Sequence, residues 1–151
     1  MSVVTDRGDG SVRVGRVSFN WVGLAVTDLA RSRRFYEELL GFTYERELAP
    51  DDKPTSKLCQ VDEPVNLTAV YLRLDGFVLE LLHFDRAGNP PSRNRSMNEP
   101  GFTHLSVNVE DIGTVVARVP GYGGTVLADT DLGVAVLIRD PDGQLIELLA
   151  G

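Results

Sequence analysis

Two stretches of this sequence are near copies of each other: DGFVLELL at Asp75–Leu82 and DGQLIELL at Asp142–Leu149. A second pair precedes them in the same order, WVGLAVTDL at Trp21–Leu29 and HLSVNVEDI at His104–Ile112. The two opening stretches alternate apolar residues with small or polar ones, which is the period of a half-buried strand, whereas the two Asp-Gly stretches continue as apolar strands with one glutamate each. The two pairs indicate an internal duplication, in which one structural unit occurs twice.

The two copies differ in length. Asp28 and Asp111 lie 83 residues apart, whereas Glu80 and Glu147 lie 67 apart, so the first copy is 16 residues longer. We place the extra residues in the polar, proline-containing stretch 49–66 and interpret that stretch as a loop that covers a pocket or extends a dimer contact.

Each copy is predicted to be a β-α-β-β-β module, so the chain is predicted to be an α+β protein in which two tandem modules form a cup-shaped mixed sheet. In the first copy Asp28 is suited to cap a helix over 29–40, and Gly41 to end it. Asp75-Gly76 is a strong hairpin signal. The predicted strands are Phe19–Val26, Phe42–Leu48, Leu67–Leu74, Phe77–Phe84, His104–Val109, Thr125–Asp129, Val134–Arg139 and Gln144–Leu149, and the second helix is Ile112–Val119. The predicted boundaries are a flexible N-terminal tail at 1–16, a first module at 17–84, a linker at 85–101 and a second module at 102–150.

Composition excludes several classes of function. The chain has 151 residues and a net charge of −7, and a phosphate-binding surface would need a basic face, so we expect no nucleic-acid partner. Its one cysteine, Cys59, rules out a disulfide framework within the chain. No apolar run is long enough for a transmembrane helix, and the N-terminus lacks the apolar core of a secretory signal, so we expect a cytoplasmic protein without a membrane partner.

Strand alternation places several small or polar side chains on the face of the sheet opposite the helices. The residues predicted to face this side, and so to line a pocket, are Trp21, Gly23, Ala25, Ser106 and Asn108, together with His104, Glu80 and Glu147. Tyr71 and Arg73 share a strand face and are further candidates for ligand contact.

Glu80 and Glu147 each interrupt an apolar strand at matching positions of the two copies. A carboxylate is costly to bury unless it is paired or bound to a cation. If a pseudo-twofold axis relates the copies, Glu80 faces Glu147 and Trp21 faces His104. Three of these four residues are potential metal ligands, whereas the indole nitrogen of Trp21 can only donate a hydrogen bond.

The paired modules, the Phe35-Tyr36 and Leu40-Gly41-Phe42 pattern of the first helix, and the closing Asp140-Pro141-Asp142-Gly143 turn together resemble the vicinal oxygen chelate superfamily. That superfamily includes glyoxalase I, methylmalonyl-CoA epimerase, extradiol dioxygenases, fosfomycin-resistance proteins and bleomycin-resistance proteins. The resemblance covers residues 17–150. The pattern is specific for the superfamily but does not distinguish well among its members.

The resemblance implies one divalent metal ion, Ni²⁺, Zn²⁺, Mn²⁺, Mg²⁺ or Fe²⁺, on the concave face of the sheet. It carries the ligand role to Glu80, His104 and Glu147. Trp21 departs from the pattern, because that position is usually His or Gln, so the implied site has one imidazole and two carboxylates. Family members often build their sites across module or subunit interfaces, which implies a homodimer.

Two functions remain open from the sequence. The first is a glyoxalase-like, metal-dependent lyase or isomerase that acts on a small substrate with neighbouring oxygens through an enediolate, with Glu80 or Glu147 as the catalytic base. The second is a metal-free protein of the bleomycin-resistance type that sequesters an antibiotic or another aromatic or cationic small molecule, with Trp21 stacked on the ligand. An extradiol dioxygenase is disfavoured, because it needs a second imidazole and His83 has the helix-facing parity.

Overall fold

The computed structural model describes residues 15–151, so almost all of the predicted tail at 1–16 lies outside the described residues. The first half of the described chain contains β1 (Val22–Ala25), α1 (Leu29–Arg34), β2 (Thr43–Leu48), α2 (Asp52–Cys59), β3 (Leu67–Leu74) and β4 (Phe77–Phe84). The second half contains β5 (His104–Val109), α3 (Ile112–Arg118), β6 (Thr125–Leu127), β7 (Ala135–Arg139) and β8 (Leu145–Ala150). A π-helical turn over Phe35–Leu39 continues α1, and 3-10 turns cover Val119–Tyr122 and Ala128–Thr130.

Between Gly15 and Gly151 the strands form two four-stranded sheets of the same topology, β1-β4-β3-β2 and β5-β8-β7-β6. In each sheet the first strand of the module pairs in parallel with the last, and the other pairings are antiparallel. Neither sheet is closed. The α+β class and the tandem β-α-β-β-β modules are therefore confirmed, with one insertion, α2, in module 1.

The insertion corrects one prediction, since residues 49–66 are not only loop. Asp52–Cys59 forms α2, in which Pro54 lies in the first turn, where its missing N–H costs no helical hydrogen bond. The Asp52 carboxylate then accepts hydrogen bonds from the backbone N–H groups of Val65 (3.1 Å) and Asn66 (2.9 Å), which ties the end of the insertion back to the start of the helix.

The first strand is also shorter than the predicted Phe19–Val26. In the observed register Val22 pairs with Leu79, and β4 begins at Phe77 directly after the hairpin turn. Continued in this register, Asn20 would lie opposite Phe77, and only the residues before Asn20 would lie opposite the turn. The predicted helix 29–40 is correct in extent, but its second half is π-helical and ends before Gly41, which has the predicted positive φ of 81°.

One core joins the two modules. The helix-facing rows of both sheets and the end of the first helix are buried together, and the cluster includes Phe35, Tyr36, Leu72, Leu79, Leu81, Ile138, Ile146 and Leu148. Gly124 in module 2 approaches Phe35 so closely that a Cβ at this position would lie 2.7 Å from the ring. The sheet faces that carry Glu80 and Glu147 lie opposite these buried rows, and we call them the first and second open faces.

Hydrogen bonds reinforce this packing. The Tyr36 hydroxyl donates to Asp140 Oδ2 at 2.8 Å, and the Thr27 N–H donates to Asp142 Oδ2 at 3.1 Å. The Asp140-Pro141-Asp142-Gly143 turn of module 2 is therefore fixed to the start of the first helix and to its π-helical turn. None of the helices in residues 15–151 is long and apolar enough to cross a membrane.

Candidate functional site

The second open face brings together two of the predicted metal ligands. Ser106 on β5 lies opposite Glu147 on β8, and its hydroxyl donates to Glu147 Oε1 at 2.8 Å. His104, two residues earlier on the same face, places Nε2 at 4.0 Å from the same oxygen. The side chains of His104 and Glu147 are about one-third exposed, so a small molecule in solvent can reach both.

The imidazole of His104 is oriented by its neighbour. The Thr103 hydroxyl lies 2.8 Å from His104 Nδ1. When Nδ1 carries the proton and donates to this oxygen, Nε2 keeps a free lone pair that points towards the Glu147 side. Metal-binding histidines are commonly held in this way, with the second ring nitrogen hydrogen-bonded to an oxygen.

The first open face is built differently around Glu80. Tyr71 on β3 lies opposite Glu80 on β4, and its hydroxyl donates to Glu80 Oε2. Burial, followed by the hydrogen bond and the negative charge of Glu80, raises the pKa of Tyr71 to about 12, so the phenol remains a donor at neutral pH. Gly23 leaves space beside the carboxylate, because a Cβ there would lie 3.4 Å from Glu80 Oε1.

Aromatic rings and an arginine extend the first open face. The Trp21 and Tyr71 rings meet edge to face with centroids 5.0 Å apart, and 39% of Trp21 is exposed. The guanidinium carbon of Arg46 lies 3.9 Å from the Tyr71 ring centroid and 5.8 Å from that of Trp21. Module 2 has leucines at the positions of Tyr71 and Arg46. Leu137 lies opposite Glu147, and Leu127 lies opposite Leu137.

The predicted set of three ligands does not assemble within one chain. In the part of the chain that the structure describes, no group of three or more His, Cys, Asp or Glu side chains is placed to hold one metal ion. Among the same residues, no hydrogen bond or ion pair links Glu80 to His104 or Glu147. The pseudo-twofold arrangement in which Glu80 faces Glu147 across one cavity is therefore not formed inside the chain, because the two sheets share a core on their opposite faces.

The remaining predicted pocket residues are exposed on these faces: Gly23 and Ala25 on the first, Ser106 and Asn108 on the second. A cleft of about 1010 Å³ between the modules includes Ala25 but none of the three predicted ligands. A smaller pocket of about 390 Å³ on the first open face includes Trp21, Tyr71 and Arg46.

The residues of the second open face fit a divalent metal ion. Two donors that bind one ion tetrahedrally at about 2.0–2.2 Å lie about 3.3–3.6 Å apart, and His104 Nε2 and Glu147 Oε1, now 4.0 Å apart, need only a small side-chain rotation to reach that separation. One imidazole and one carboxylate are a common part of Zn²⁺, Ni²⁺ and Fe²⁺ sites. Glu80 offers a further carboxylate from the other open face, whereas Trp21 offers no ligand atom.

Sequence reasoning missed two residues of these faces, Thr103 and Arg46. A threonine before a candidate histidine is a usable signal, since the hydroxyl is close to the imidazole. Arg46 had no such signal, because uninterrupted alternation along β2 would place it on the helix-facing side.

Comparison with known proteins identifies the family. The model of the Glyoxalase/Bleomycin resistance protein/Dioxygenase superfamily matches residues 18–148, and this chain belongs to that superfamily. It is 28% identical over 140 residues to the uncharacterised protein YaeR of Escherichia coli (strain K12), covering 89% of this chain and 97% of that protein.

Solved structures agree with this assignment. The trypanothione-dependent glyoxalase I of Leishmania major is 27% identical, with a TM-score of 0.60, and the match covers 85% of this chain and 82% of that one. A glyoxalase family protein from Bacillus cereus has a TM-score of 0.73 at 19% identity, covers 92% of this chain and 97% of its own, and supports the fold alone.

Proposed function

We propose that this protein is a metal-dependent lyase or isomerase that acts on a small substrate with neighbouring oxygens, with His104, Glu147 and Glu80 as metal ligands. The observation that carries the proposal is the His104–Glu147 pair, whose donor atoms are 4.0 Å apart with the imidazole held by Thr103. A bound divalent ion would supply Lewis-acid stabilisation of an enediolate.

The site is proposed to form between two copies of the chain. The two sheets share a core on the faces opposite Glu80 and His104, which supports a site built from two chains. A second copy can present its first open face to the second open face of its partner, and twofold symmetry then makes two equal sites. The homodimer thus supplies the third ligand that one chain lacks.

The chain's own groups account for proton transfer in this proposal. Glu80 Oε2 accepts from Tyr71 and Glu147 Oε1 accepts from Ser106, which leaves Glu80 Oε1 and Glu147 Oε2 without a side-chain donor in residues 15–151. Either free oxygen can take a proton from a substrate carbon as general base and return it to the neighbouring carbon. Tyr71 and Ser106 hold the two carboxylates in fixed orientations.

Metal content tests the proposal. Wild type, His104→Ala and His83→Ala are purified without an affinity-tag metal, offered Ni²⁺, Zn²⁺, Mn²⁺ or Fe²⁺, and analysed by elemental mass spectrometry. His83 is the matched control, because it is the only other histidine and its Nδ1 lies 3.3 Å from the Val26 carbonyl oxygen on the helix-facing side.

We expect about one metal ion per chain in wild type and His83→Ala, and loss of most of it in His104→Ala. Failure of wild type to bind any of these ions, or equal binding by His104→Ala, would contradict the proposal.

Metal-free sequestration of a small molecule is the second candidate, and the Trp21–Tyr71 pair favours it. Trp21 is 39% exposed and can stack on a flat ligand, while the buried Tyr71 ring supports it edge to face. Arg46 already lies over both rings, so this surface suits an aromatic ligand better than the cationic one that the sequence also allowed. A metal-free wild type would favour this candidate.

A further inference from the structure

The pocket of about 390 Å³ on the first open face holds a positive charge that the proposed reaction does not use. Its lining includes Trp21, Tyr71, Arg46, Arg73 and Glu45. Arg73 forms an ion pair with Glu45, so these two charges offset each other. Arg46 forms no ion pair with any carboxylate in residues 15–151, and it is exposed.

A β-bulge directs Arg46 into this pocket. Tyr44 pairs with Leu72, but the register then shifts, and Arg46 pairs with Tyr71 instead of Val70. Leu72 and Val70 are buried in the core, so a regular strand would have turned Arg46 towards the helices. The extra residue in β2 reverses this and places the guanidinium on the Tyr71 ring. Bulges commonly re-aim a side chain in this way beside functional sites.

The rings hold the guanidinium in place, and apart from its contact with Tyr71 no other hydrogen bond is formed by the Arg46 side chain in residues 15–151. Arg46 lies 3.9 Å from the Tyr71 centroid, with Trp21 at 5.8 Å. A guanidinium held over an aromatic face keeps its N–H donors at its edge, where they can meet a planar or tetrahedral oxyanion. Placing the positive charge beforehand in this way lowers the entropy cost of binding an anion.

We propose that Arg46 binds a carboxylate, phosphonate or phosphate group of the ligand, and that the ligand's remainder lies against the exposed Trp21 ring. The conclusion that the substrate carries an oxyanion rests on the proposed function. The conclusion that Arg46 binds an anion depends only on the residues of the first open face.

Binding to metal-free protein tests the inference apart from the proposed function. The protein is stripped of metal, freed of chelator and kept in a buffer without phosphate. Phenylphosphonate, benzoate and the neutral benzamide are titrated by calorimetry, with the fluorescence of Trp21, the only tryptophan, as a second readout. The variants are Arg46→Met, which keeps a stem over the rings, Arg46→Lys, which keeps the charge, and Arg33→Met.

Arg33 is the matched control, because its guanidinium also lies over a ring, 4.7 Å from the Tyr44 centroid, but is paired with Glu37 on the opposite side of the sheet. We expect saturable binding of the two anions, binding of benzamide at least about tenfold weaker, and a loss of about 10- to 100-fold in Arg46→Met. Arg33→Met should bind as wild type does, and Arg46→Lys should bind between wild type and Arg46→Met.

Equal affinity for benzoate and benzamide, unchanged binding in a folded Arg46→Met, or no saturable binding of either anion would each overturn the inference. Metal binding and anion binding are measured separately. Anion binding through Arg46 without metal binding would support this inference and contradict the proposed function. Metal binding without anion binding would support the proposed function and contradict this inference.

Discussion

At the scale of single residues, the Tyr36–Asp140 contact joins the two modules through a buried carboxyl. Asp140 is 2% exposed, and its Oδ1 also accepts from the N–H groups of Asp142 (2.9 Å) and Gln144 (2.8 Å). Burial raises the pKa of Asp140, partly offset by the Tyr36 hydrogen bond, and burial together with Asp140 raises that of Tyr36. The carboxyl of Asp140 is thus the hydrogen-bond acceptor for a buried phenol and for two backbone N–H groups of the turn.

We expect Asp140→Ala to lower the free energy of unfolding by about 2–4 kcal/mol at neutral pH, because the substitution leaves these buried donors without an acceptor. Since the folded-state pKa is raised, the native wild type binds this proton more tightly than the unfolded chain does. The difference from Asp140→Ala should therefore grow as the pH falls through the folded-state pKa towards 3.8.

Urea unfolding at neutral and mildly acid pH measures both effects. Asp129→Ala is the control, since Asp129 is exposed, and it should change stability by no more than about 0.5 kcal/mol. A difference that shrinks on acidification would contradict the assigned direction of the pKa.

Residue-level prediction succeeded where alternation and duplication acted together. The placement of Glu80, His104 and Glu147 opposite the helices followed from a period of two and from the matching of the two copies. Arg46 was missed, because one bulged residue moves every later side chain of β2 to the other face of the sheet. The sequence has no residue type at this position that signals a bulge. Convergence of the three ligands was also beyond the sequence, since it depends on how the two sheets pack.

At the scale of elements, the two helix starts carry the clearest local signal. Asp28 Oδ1 accepts from the N–H of Arg31 at 3.0 Å, and Asp111 Oδ1 accepts from that of Thr114 at 3.2 Å. Hydrogen bonds from Thr114 lower the pKa of Asp111, as expected for a carboxylate at a cap. Each cap follows a strand directly and so fixes where the chain turns from sheet to helix.

We expect Asp28→Ala to reduce the free energy of unfolding by about 1 kcal/mol, because an N–H of the first turn loses its acceptor. Asp28→Asn keeps an acceptor oxygen and should cost much less. Thermal unfolding of the two variants side by side checks this. Equal losses in both would mean that the charge, and not the cap, carries the effect.

Element prediction was most reliable inside the sheets. The strands Leu67–Leu74, Phe77–Phe84 and His104–Val109 were predicted with the bounds observed. The helix Asp52–Cys59 was missed, because its polar sequence and Pro54 resemble a loop unless proline is recognised as a first-turn residue. The π-helical turn at Phe35–Leu39 has no sequence signal that distinguishes it from an α-helix.

At the scale of the whole molecule, the shared core decides where a site can form. If the site lies between unlike faces of two copies, a dimer of Glu80→Ala with His104→Ala has both defects in one site and none in the other. An equimolar mixture after subunit exchange should then regain about a quarter of the wild-type metal sites, although neither variant binds metal alone.

Metal content of the mixture and of each variant alone checks this expectation, and sedimentation confirms that dimers exchange. Folded variants that exchange subunits but recover no metal would place the complete site within one chain. Two copies of the same variant, mixed in the same way, are the control.

The two N-caps have nearly the same backbone geometry, with φ −137° and ψ 105° at Asp28 and φ −137° and ψ 103° at Asp111. The open faces beyond them have diverged, one carrying Trp21 and Tyr71, the other His104 and Leu137. The backbone frame is thus common to both modules, whereas the chemistry of each open face is its own. Side chains on either face can therefore be replaced without disturbing the frame that supports them.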